Sequence, residues 1–107
     1  MIWKKSKDQK VLSPAPGIMA QSMAFGDSLH IMKFHTHKGA VMPAHSHPQE
    51  QAGYLIQGKM ILTIDGIDHE IEAGDAWAIK TNVPHSVRII EDACIIEVFS
   101  SIRHDYM

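Results

Sequence analysis

The chain has 107 residues, 45% of them hydrophobic and 21% charged, which suits one domain with a single core. Its formal net charge of -2 leaves no basic excess for binding nucleic acid or anionic membranes. No apolar run is long enough to span a membrane, and the first residues, MIWKKSKDQK, lack the apolar core of a signal peptide. The single cysteine, Cys94, permits no internal disulfide and predicts a cytoplasmic protein.

Short apolar segments separated by turns follow one another along the chain. Residues 1–17 are polar and contain the stretch SPAPG, so they predict an N-terminal arm ahead of a single domain at 18–107. Strands are predicted at 18–25, 29–36, 52–58, 59–64, 67–72, 76–80, 85–90 and 94–100. Since no segment has the periodicity of an amphipathic helix, the pattern predicts an all-β barrel or sandwich that can hold one small ligand.

Two histidines one residue apart precede the third of these strands, in the stretch AHSHPQEQAGYLIQG. Residues two apart in a strand share a face, so His45 and His47 are expected to offer two imidazole nitrogens to one cation. The same period selects Gln51 rather than Glu50 as a third donor. A fourth ligand must come from elsewhere in the sheet, and His85, which follows an apolar strand and a turn, is the best candidate.

The remaining histidines are interpreted as ordinary structural residues. A single histidine near an apolar strand is more often a satisfied core or surface residue than a ligand, and this describes His30, His69 and His104. The pair His35 and His37 repeats the spacing of the proposed ligands. No strand with a donor at the fourth position follows it, so we expect a surface pair.

The first group of candidate ligands resembles the first motif of the cupin family. The pattern Gly39-x5-His45-x-His47-x3-Gln51-x6-Gly58 is similar to that motif, with glutamine where many members carry glutamate. Many positions agree together, which makes this match specific.

The segment that contains His85 is similar to the second cupin motif. It reads Gly74-x5-Lys80-x-Asn82-x2-His85, with lysine and asparagine in place of the usual proline and glycine. The resemblance covers roughly residues 28–105 and implies a double-stranded β-helix (jelly-roll) barrel. It also implies one divalent transition metal held by four ligands: His45, His47, Gln51 and His85.

The charge of this ligand set favours an anionic substrate. Three neutral imidazoles and a neutral amide leave the full double positive charge on the metal, whereas a carboxylate would cancel part of it. A small, oxygen-chelating acid such as a hydroxy- or keto-acid sugar is therefore the expected ligand. The metal itself, whether nickel, zinc, iron or manganese, is left open because cellular supply decides occupancy as much as the ligands do.

The C-terminal segment IIEVFSSIRHDYM carries a second group of candidate residues. Glu97 and Phe99 share a strand face, and Arg103 follows four residues later. If that face points inward, Glu97 can transfer a proton, Phe99 can contact a sugar ring and Arg103 can bind a carboxylate. If it points outward, the three are surface and core residues, and the period of two does not decide between these alternatives.

This segment resembles the tail of the pectin-degradation cupins, which convert 4,5-unsaturated monouronates into linear ketones. That tail reads Asp-x-Phe-Ser-Pro-Pro-Arg-Glu-Asp-Tyr. The resemblance implies that the family's acid, aromatic and arginine roles fall on Glu97, Phe99 and Arg103. Glutamate replaces the family's aspartate here, and Ser101-Ile102 replaces the proline pair.

The resulting hypothesis is a metal-dependent enzyme that isomerises or ring-opens an unsaturated uronate or a similar sugar acid. A metal-dependent dioxygenase acting on a chelating substrate and a non-catalytic ligand-binding protein are the alternatives. A homodimer is also expected, because small cupins are commonly dimers and the arm carries apolar residues: Ile2, Trp3, Val11 and Leu12.

Overall fold

The structure, a computed structural model, describes residues 3–106; Met1, Ile2 and Met107, which the predicted arm and domain include, lie outside this range. Eight antiparallel strands make up most of the described chain: β1 Lys10–Ala15, β2 Ile18–Phe25, β3 Leu29–Thr36, β4 Val41–His45, β5 Glu50–Ile64, β6 Ile67–Glu72, β7 Ala76–Ile79 and β8 His85–Ser100. Two 3-10 turns, Ser6–Asp8 and His104–Tyr106, flank them. The predicted all-β fold is confirmed, and no helix within residues 3–106 is long and apolar enough to cross a membrane.

The strands form one curved sheet in the order β1-β2-β3-β8-β5-β6, with β4 paired to β8 and β7 paired to β5. The central pair is β5 and β8, which contact each other along nearly their whole lengths. The first half of β5 also pairs with β7 and its second half with β6. The two long strands therefore connect the part of the sheet that contains β7 with the part that contains β6.

Each of these long strands was predicted as two shorter ones, and this was wrong. β5 has 15 residues and β8 has 16, and shifts in their pairing near the middle mark bends rather than breaks. Gly58 lies at the bend with φ +97, a conformation that favours glycine. A Cβ at this position would overlap the backbone of Asp92 and Ala93, so the close approach of the strands also requires glycine.

The barrel interior is built by alternate residues of β2, β3, β5 and β8. In β3, for example, His30, Met32, Phe34 and Thr36 are buried, whereas His35 is exposed. Most of the buried side chains are apolar and form one continuous core. Polar buried residues, among them Gln51, His85 and Arg103, stand out in this interior and raise the question of what they do there.

Part of the predicted N-terminal arm joins the sheet of its own chain. β1, which was not predicted, pairs with β2 from Lys10 opposite Ser22 to Ala15 opposite Ile18. Gly17, with φ +76, makes the tight connection between the two strands. Of the apolar residues assigned to the arm, Trp3 and Val11 remain exposed.

Candidate metal centre

Three of the four predicted ligands, His45, His47 and His85, form one cluster. Their ligand atoms all lie within 4.8 Å of one another, and their ring centroids are 4.3 to 5.6 Å apart. His45 ends β4 and pairs directly with His85, which begins β8. The cluster therefore forms where two neighbouring strands meet, at one end of the barrel.

The reason that these histidines converge differs from the predicted one. The sequence suggested a single strand through His45, His47 and Gln51, but β4 ends at His45 and β5 begins at Glu50. His47 lies in the connecting segment 46–49, which contains Pro48. The path of this connecting segment, rather than strand alternation, brings the two histidines together.

Each histidine of the cluster is oriented by its own backbone neighbourhood. In every case the ring Nδ1 lies within hydrogen-bond distance of a carbonyl oxygen two residues away: His45 to Pro43 at 2.8 Å, His47 to Gln49 at 2.9 Å and His85 to Val83 at 2.8 Å. Since a carbonyl only accepts, Nδ1 carries the proton and donates it. The Nε2 lone pairs are left for another partner, which is how metal-binding histidines are usually fixed.

Gln51 brings a fourth donor to the same place. The residue is 5% exposed, and its Nε2 donates a hydrogen bond to Oε2 of Glu97. Within residues 3–106, neither Oε1 of Gln51 nor Nε2 of His47 has a hydrogen-bond partner, although both atoms are buried. Unpaired buried acceptors are costly, and a cation between them would satisfy both. Three imidazole nitrogens and one amide oxygen suit a divalent transition metal.

The electrostatics of the cluster favour the neutral imidazoles that a metal requires. Burial lowers the pKa of His85 to about 4. Burial is also the main cause that lowers the pKa of His47, and the positive charge of Arg103 lowers it further. Both rings are therefore neutral at pH 7, so a metal ion would not have to displace protons from them.

Glu97 points into the barrel beside this cluster. It pairs with Met32 on one side and Gly53 on the other, and its neighbours on the same face, Ile95 and Phe99, are buried. Because Gly53 has no side chain, the ring of Trp77 occupies the space where its Cβ would be. Glu97 thus has largely apolar neighbours, and its carboxyl group accepts a hydrogen bond from Gln51.

This environment changes the acidity of the Glu97 carboxyl group. Burial raises its pKa to about 8, although the charge of Arg103 and the hydrogen bond from Gln51 oppose the shift. A carboxyl group with a pKa near neutrality can both donate and accept a proton. Strongly shifted groups of this kind are concentrated at functional sites.

Arg103 is buried in the wall of the same pocket. Its guanidinium lies between two aromatic rings, 4.9 Å from the centroid of Phe99 and 4.5 Å from that of Tyr106. It also donates two hydrogen bonds to Asp105, at 3.0 Å from Nε and 2.7 Å from Nη2. Asp105 was not singled out in the sequence, although its position two residues after an arginine was a possible signal for this pair.

The pocket between these groups has both polar and apolar walls. Its volume is about 50 Å³, which is room for a metal ion and a few waters. Its polar lining includes His45, Gln51, His85, Glu97 and Arg103. Its apolar lining consists of residues that include Met42, Met60 and Trp77. A larger ligand must therefore extend beyond this pocket.

The segment that carries Arg103 follows a path that a proline pair could not take. Ser101 has φ +69, whereas proline is restricted to a φ near −65°. The amide of Ser101 also donates a hydrogen bond to the carbonyl of Ser28 at 2.6 Å, and proline has no amide hydrogen. The departure from the pectin-degradation pattern at this position therefore corresponds to a different backbone conformation.

The histidines interpreted as structural residues lie outside the cluster. His35, His37, His69 and His104 are exposed. His30 is completely buried and has hydrogen-bond partners on both ring nitrogens.

Comparison with known proteins adds to this geometry. A family model described as a cupin domain matches residues 32–101. The chain belongs to the cupin family. The cupin fold accounts for the antiparallel jelly-roll barrel, and the matched residues contain the three clustered histidines, Gln51 and Glu97.

Relatives of this cupin include a protein of pectin degradation. The chain is 29% identical over 93 residues to pectin degradation protein KdgF of Dickeya dadantii, covering 85% of the chain and 84% of that protein. The structure of KdgF from a Halomonas species superimposes with a TM-score of 0.89 at 25% identity, covering 100% of the chain and 99% of that structure. A part of quercetin 2,3-dioxygenase of Bacillus subtilis is 34% identical over 73 residues, which is 67% of the chain and 22% of that enzyme.

Proposed function

We propose that this cupin is a metal-dependent enzyme that isomerises, by ring opening, a 4,5-unsaturated uronate or a similar small sugar acid. The observation that carries the proposal is a single pocket with three kinds of group. A metal-ligand cluster, the Glu97 carboxyl and the Arg103 guanidinium all line or adjoin it. The similarity to KdgF over most of both chains supports the same assignment.

In this proposal the metal is held by His45, His47 and His85 through Nε2 and by Gln51 through Oε1. A bound dication supplies a positive charge that polarises substrate oxygens and favours an anionic substrate. The chain's own contribution is to hold the imidazoles neutral and correctly oriented. The hydrogen bond from Gln51 to Glu97 orients the amide so that its oxygen is the free atom.

The proposed reaction moves one proton and consumes no co-substrate. The hydroxyl at C1 of the sugar loses a proton, the bond between C1 and the ring oxygen breaks, and C1 becomes an aldehyde. The released enol at C5 becomes a ketone when C4 gains a proton. Glu97 is proposed to accept the first proton and deliver the second, so it ends in its starting state.

The other two residues of the C-terminal group are proposed to bind the substrate. Arg103 carries the positive charge that would attract the uronate carboxylate, and its planar guanidinium can form two parallel hydrogen bonds. In this structure Asp105 occupies that geometry, so the substrate would contact the remaining edge of the guanidinium or exchange with Asp105. Phe99, which packs between His47 and Arg103, would form the apolar wall against the ring.

The test combines metal analysis with an ultraviolet assay of 4,5-unsaturated galacturonate. We expect one transition metal per chain and loss of the absorbance of the conjugated double bond, which should stop after chelation and return with added metal. A protein that carries the metal and leaves this absorbance unchanged would contradict the proposed reaction. A protein that cannot be loaded with metal would contradict the site itself.

A second candidate is dioxygen chemistry on a chelating substrate. The similarity to part of quercetin 2,3-dioxygenase over 67% of the chain favours it. The three-histidine donor set also suits iron or manganese. Oxygen uptake by the iron- or manganese-loaded protein with a chelating aromatic substrate would support this alternative over isomerisation.

We also propose that the protein is a homodimer, because its outer sheet face is apolar. Tyr54 and Ile56 on β5 are 47% and 46% exposed, and Tyr54 lies opposite Ile96 of β8. Exposed apolar patches mark interaction surfaces, and symmetric homodimers are the commonest soluble oligomers.

Light scattering should give twice the chain mass of 11.9 kDa. Ile56→Lys is expected to yield monomers, whereas Ile67→Lys, at an exposed hairpin position, should not; an unchanged mass for Ile56→Lys would exclude this face.

A further inference from the structure

The buried residue His30 connects two parts of the barrel. It lies on the inner face of β3 with 0% of its surface exposed, opposite Phe99 of β8. Its Nδ1 accepts a hydrogen bond from the backbone N–H of Arg103 at 3.2 Å, and its Nε2 lies 2.8 Å from Oγ of Ser22. Its ring also makes a T-shaped contact with Phe25, at 5.6 Å between centroids.

These contacts define the state of the ring. Because Nδ1 accepts a hydrogen bond, the proton of the neutral ring is on Nε2, which donates to Ser22. Burial lowers the pKa of His30, and the positive charge of Arg103 lowers it further. The ring is therefore neutral and held at both nitrogens, in the tautomer that leaves Nδ1 free to accept from Arg103.

The segment of residues 101–103 has no regular secondary structure and is held by hydrogen bonds to other elements. Ser101 donates to the carbonyl of Ser28, and the carbonyl of Ile102 accepts from the side chain of Gln49 at 3.1 Å. The left-handed φ of Ser101, +69, opposes this conformation. The backbone of Arg103 itself has two hydrogen bonds: its amide donates to His30 at 3.2 Å, and its carbonyl accepts from the amide of Tyr106 at 2.8 Å.

We propose that His30 is a positioning residue for Arg103. By holding the Arg103 amide, it fixes the direction in which the side chain leaves the backbone, so that the guanidinium stands between Phe99 and Tyr106 in the pocket wall. Without it, the peptide can rotate and the long side chain can swing out of the wall. Small displacements of a binding group have large effects on reactions that depend on orientation.

The proposal predicts how easily the bond after Arg103 is cut by trypsin, a readout that needs no enzymatic activity. In the native chain Arg103 is buried and should resist cleavage. His30→Leu fills the same space without an acceptor, and we expect cleavage between Arg103 and His104 to become about tenfold faster, as loss of one buried hydrogen bond implies. Mass spectrometry of the truncated chain measures this rate.

Three further variants make the test specific. His30→Asn retains an acceptor near the Nδ1 position and should stay within about threefold of the native rate, because the hydrogen bond can be kept. His35→Leu, on the exposed face of the same strand, is the matched control and should leave the rate unchanged. Ser22→Ala removes the hydrogen bond at Nε2 that holds the ring in place, and it should accelerate cleavage in the same direction as His30→Leu. This variant keeps the test valid should His30→Leu not fold. Native cleavage rates in both folded His30→Leu and Ser22→Ala would overturn the proposal.

The role in function rests on the proposed binding of a substrate carboxylate by Arg103. For 4,5-unsaturated galacturonate, His30→Leu should raise KM about tenfold and lower kcat less than about threefold, at unchanged metal content, and His30→Asn should restore KM. A fall in kcat alone, with native KM, would contradict positioning of a binding group. Absence of turnover by the native protein would instead reject the proposed substrate. The trypsin cleavage rates would still test the role of His30, because they do not depend on activity.

Discussion

Replacing His47 with alanine is expected to remove the bound metal while leaving the barrel folded. The Nε2 of His47 is buried, faces the other two histidines and has no hydrogen-bond partner among residues 3–106, so a metal would gain a strong ligand there. Since loss of a residue that merely supports a ligand already weakens metal binding about 10–100-fold, loss of a ligand should weaken it by at least about 100-fold. The affinity can be measured by competition with a chromogenic chelator.

The fold should survive this change because of where His47 lies. The residue belongs to the connection between β4 and β5 and contributes no pairing to the sheet. Far-ultraviolet circular dichroism and thermal unfolding of the metal-free proteins should therefore be similar for the variant and the native chain. His37→Ala, which changes an exposed histidine, is the matched control for metal affinity. A His47→Ala protein that keeps one tightly bound metal per chain would refute the assignment of His47 as a ligand.

Replacing Glu97 with glutamine is expected to lower kcat by about 10²–10⁴-fold, which is the usual contribution of a positioned proton-transfer group. Glutamine has nearly the same shape, but its amide cannot transfer a proton as the carboxyl group can. Its side-chain oxygen can still accept the hydrogen bond from Gln51, so the fourth metal ligand should keep its orientation. Turnover should therefore fall while the metal content remains native.

Measurement of both quantities on the same sample separates a proton-transfer role from a structural one. Glu91→Gln, at an exposed position of the same strand, is the matched control and should retain native turnover. If Glu97→Gln turns over 4,5-unsaturated galacturonate at the native rate, Glu97 has no part in the reaction. If the variant loses its metal as well as its activity, the residue acts on the site through Gln51, and the proton-transfer assignment is contradicted.

The contact between Gln51 and Glu97 links the two halves of the site. The Nε2 atom of the Gln51 amide donates its hydrogen bond to Glu97. The other amide atom, Oε1, is buried beside the histidines and has no hydrogen-bond partner among residues 3–106. A glutamate at position 51 would have placed two carboxyl groups together and favoured a proton shared between them. The glutamine therefore suits a site that combines a metal with a nearby carboxyl group.

The sequence by itself was sufficient to predict the all-β class, three histidines that the structure brings into one cluster, and the position of Glu97 and Phe99 on one strand face. These features depend on local patterns: alternation of apolar residues, glycine turns and the spacing of motifs. The same local logic failed where the chain bends without breaking. Gly58 resembles a turn residue between two strands, but close packing against Asp92 and Ala93 makes it a bend within β5.

Only the tertiary structure decided which face of β8 points inward and what holds the C-terminal segment. Alternation along a strand defines two faces but does not show which of them points into the barrel. The pairing of Glu97 with Met32 and Gly53, both buried, shows that its face points inward. The partners of Arg103 include His30, which is 73 residues away in sequence. Because of this separation, no local sequence pattern could predict the contact. Contacts between distant residues depend on how the strands pair, and that pairing is a property of the whole barrel rather than of any one segment.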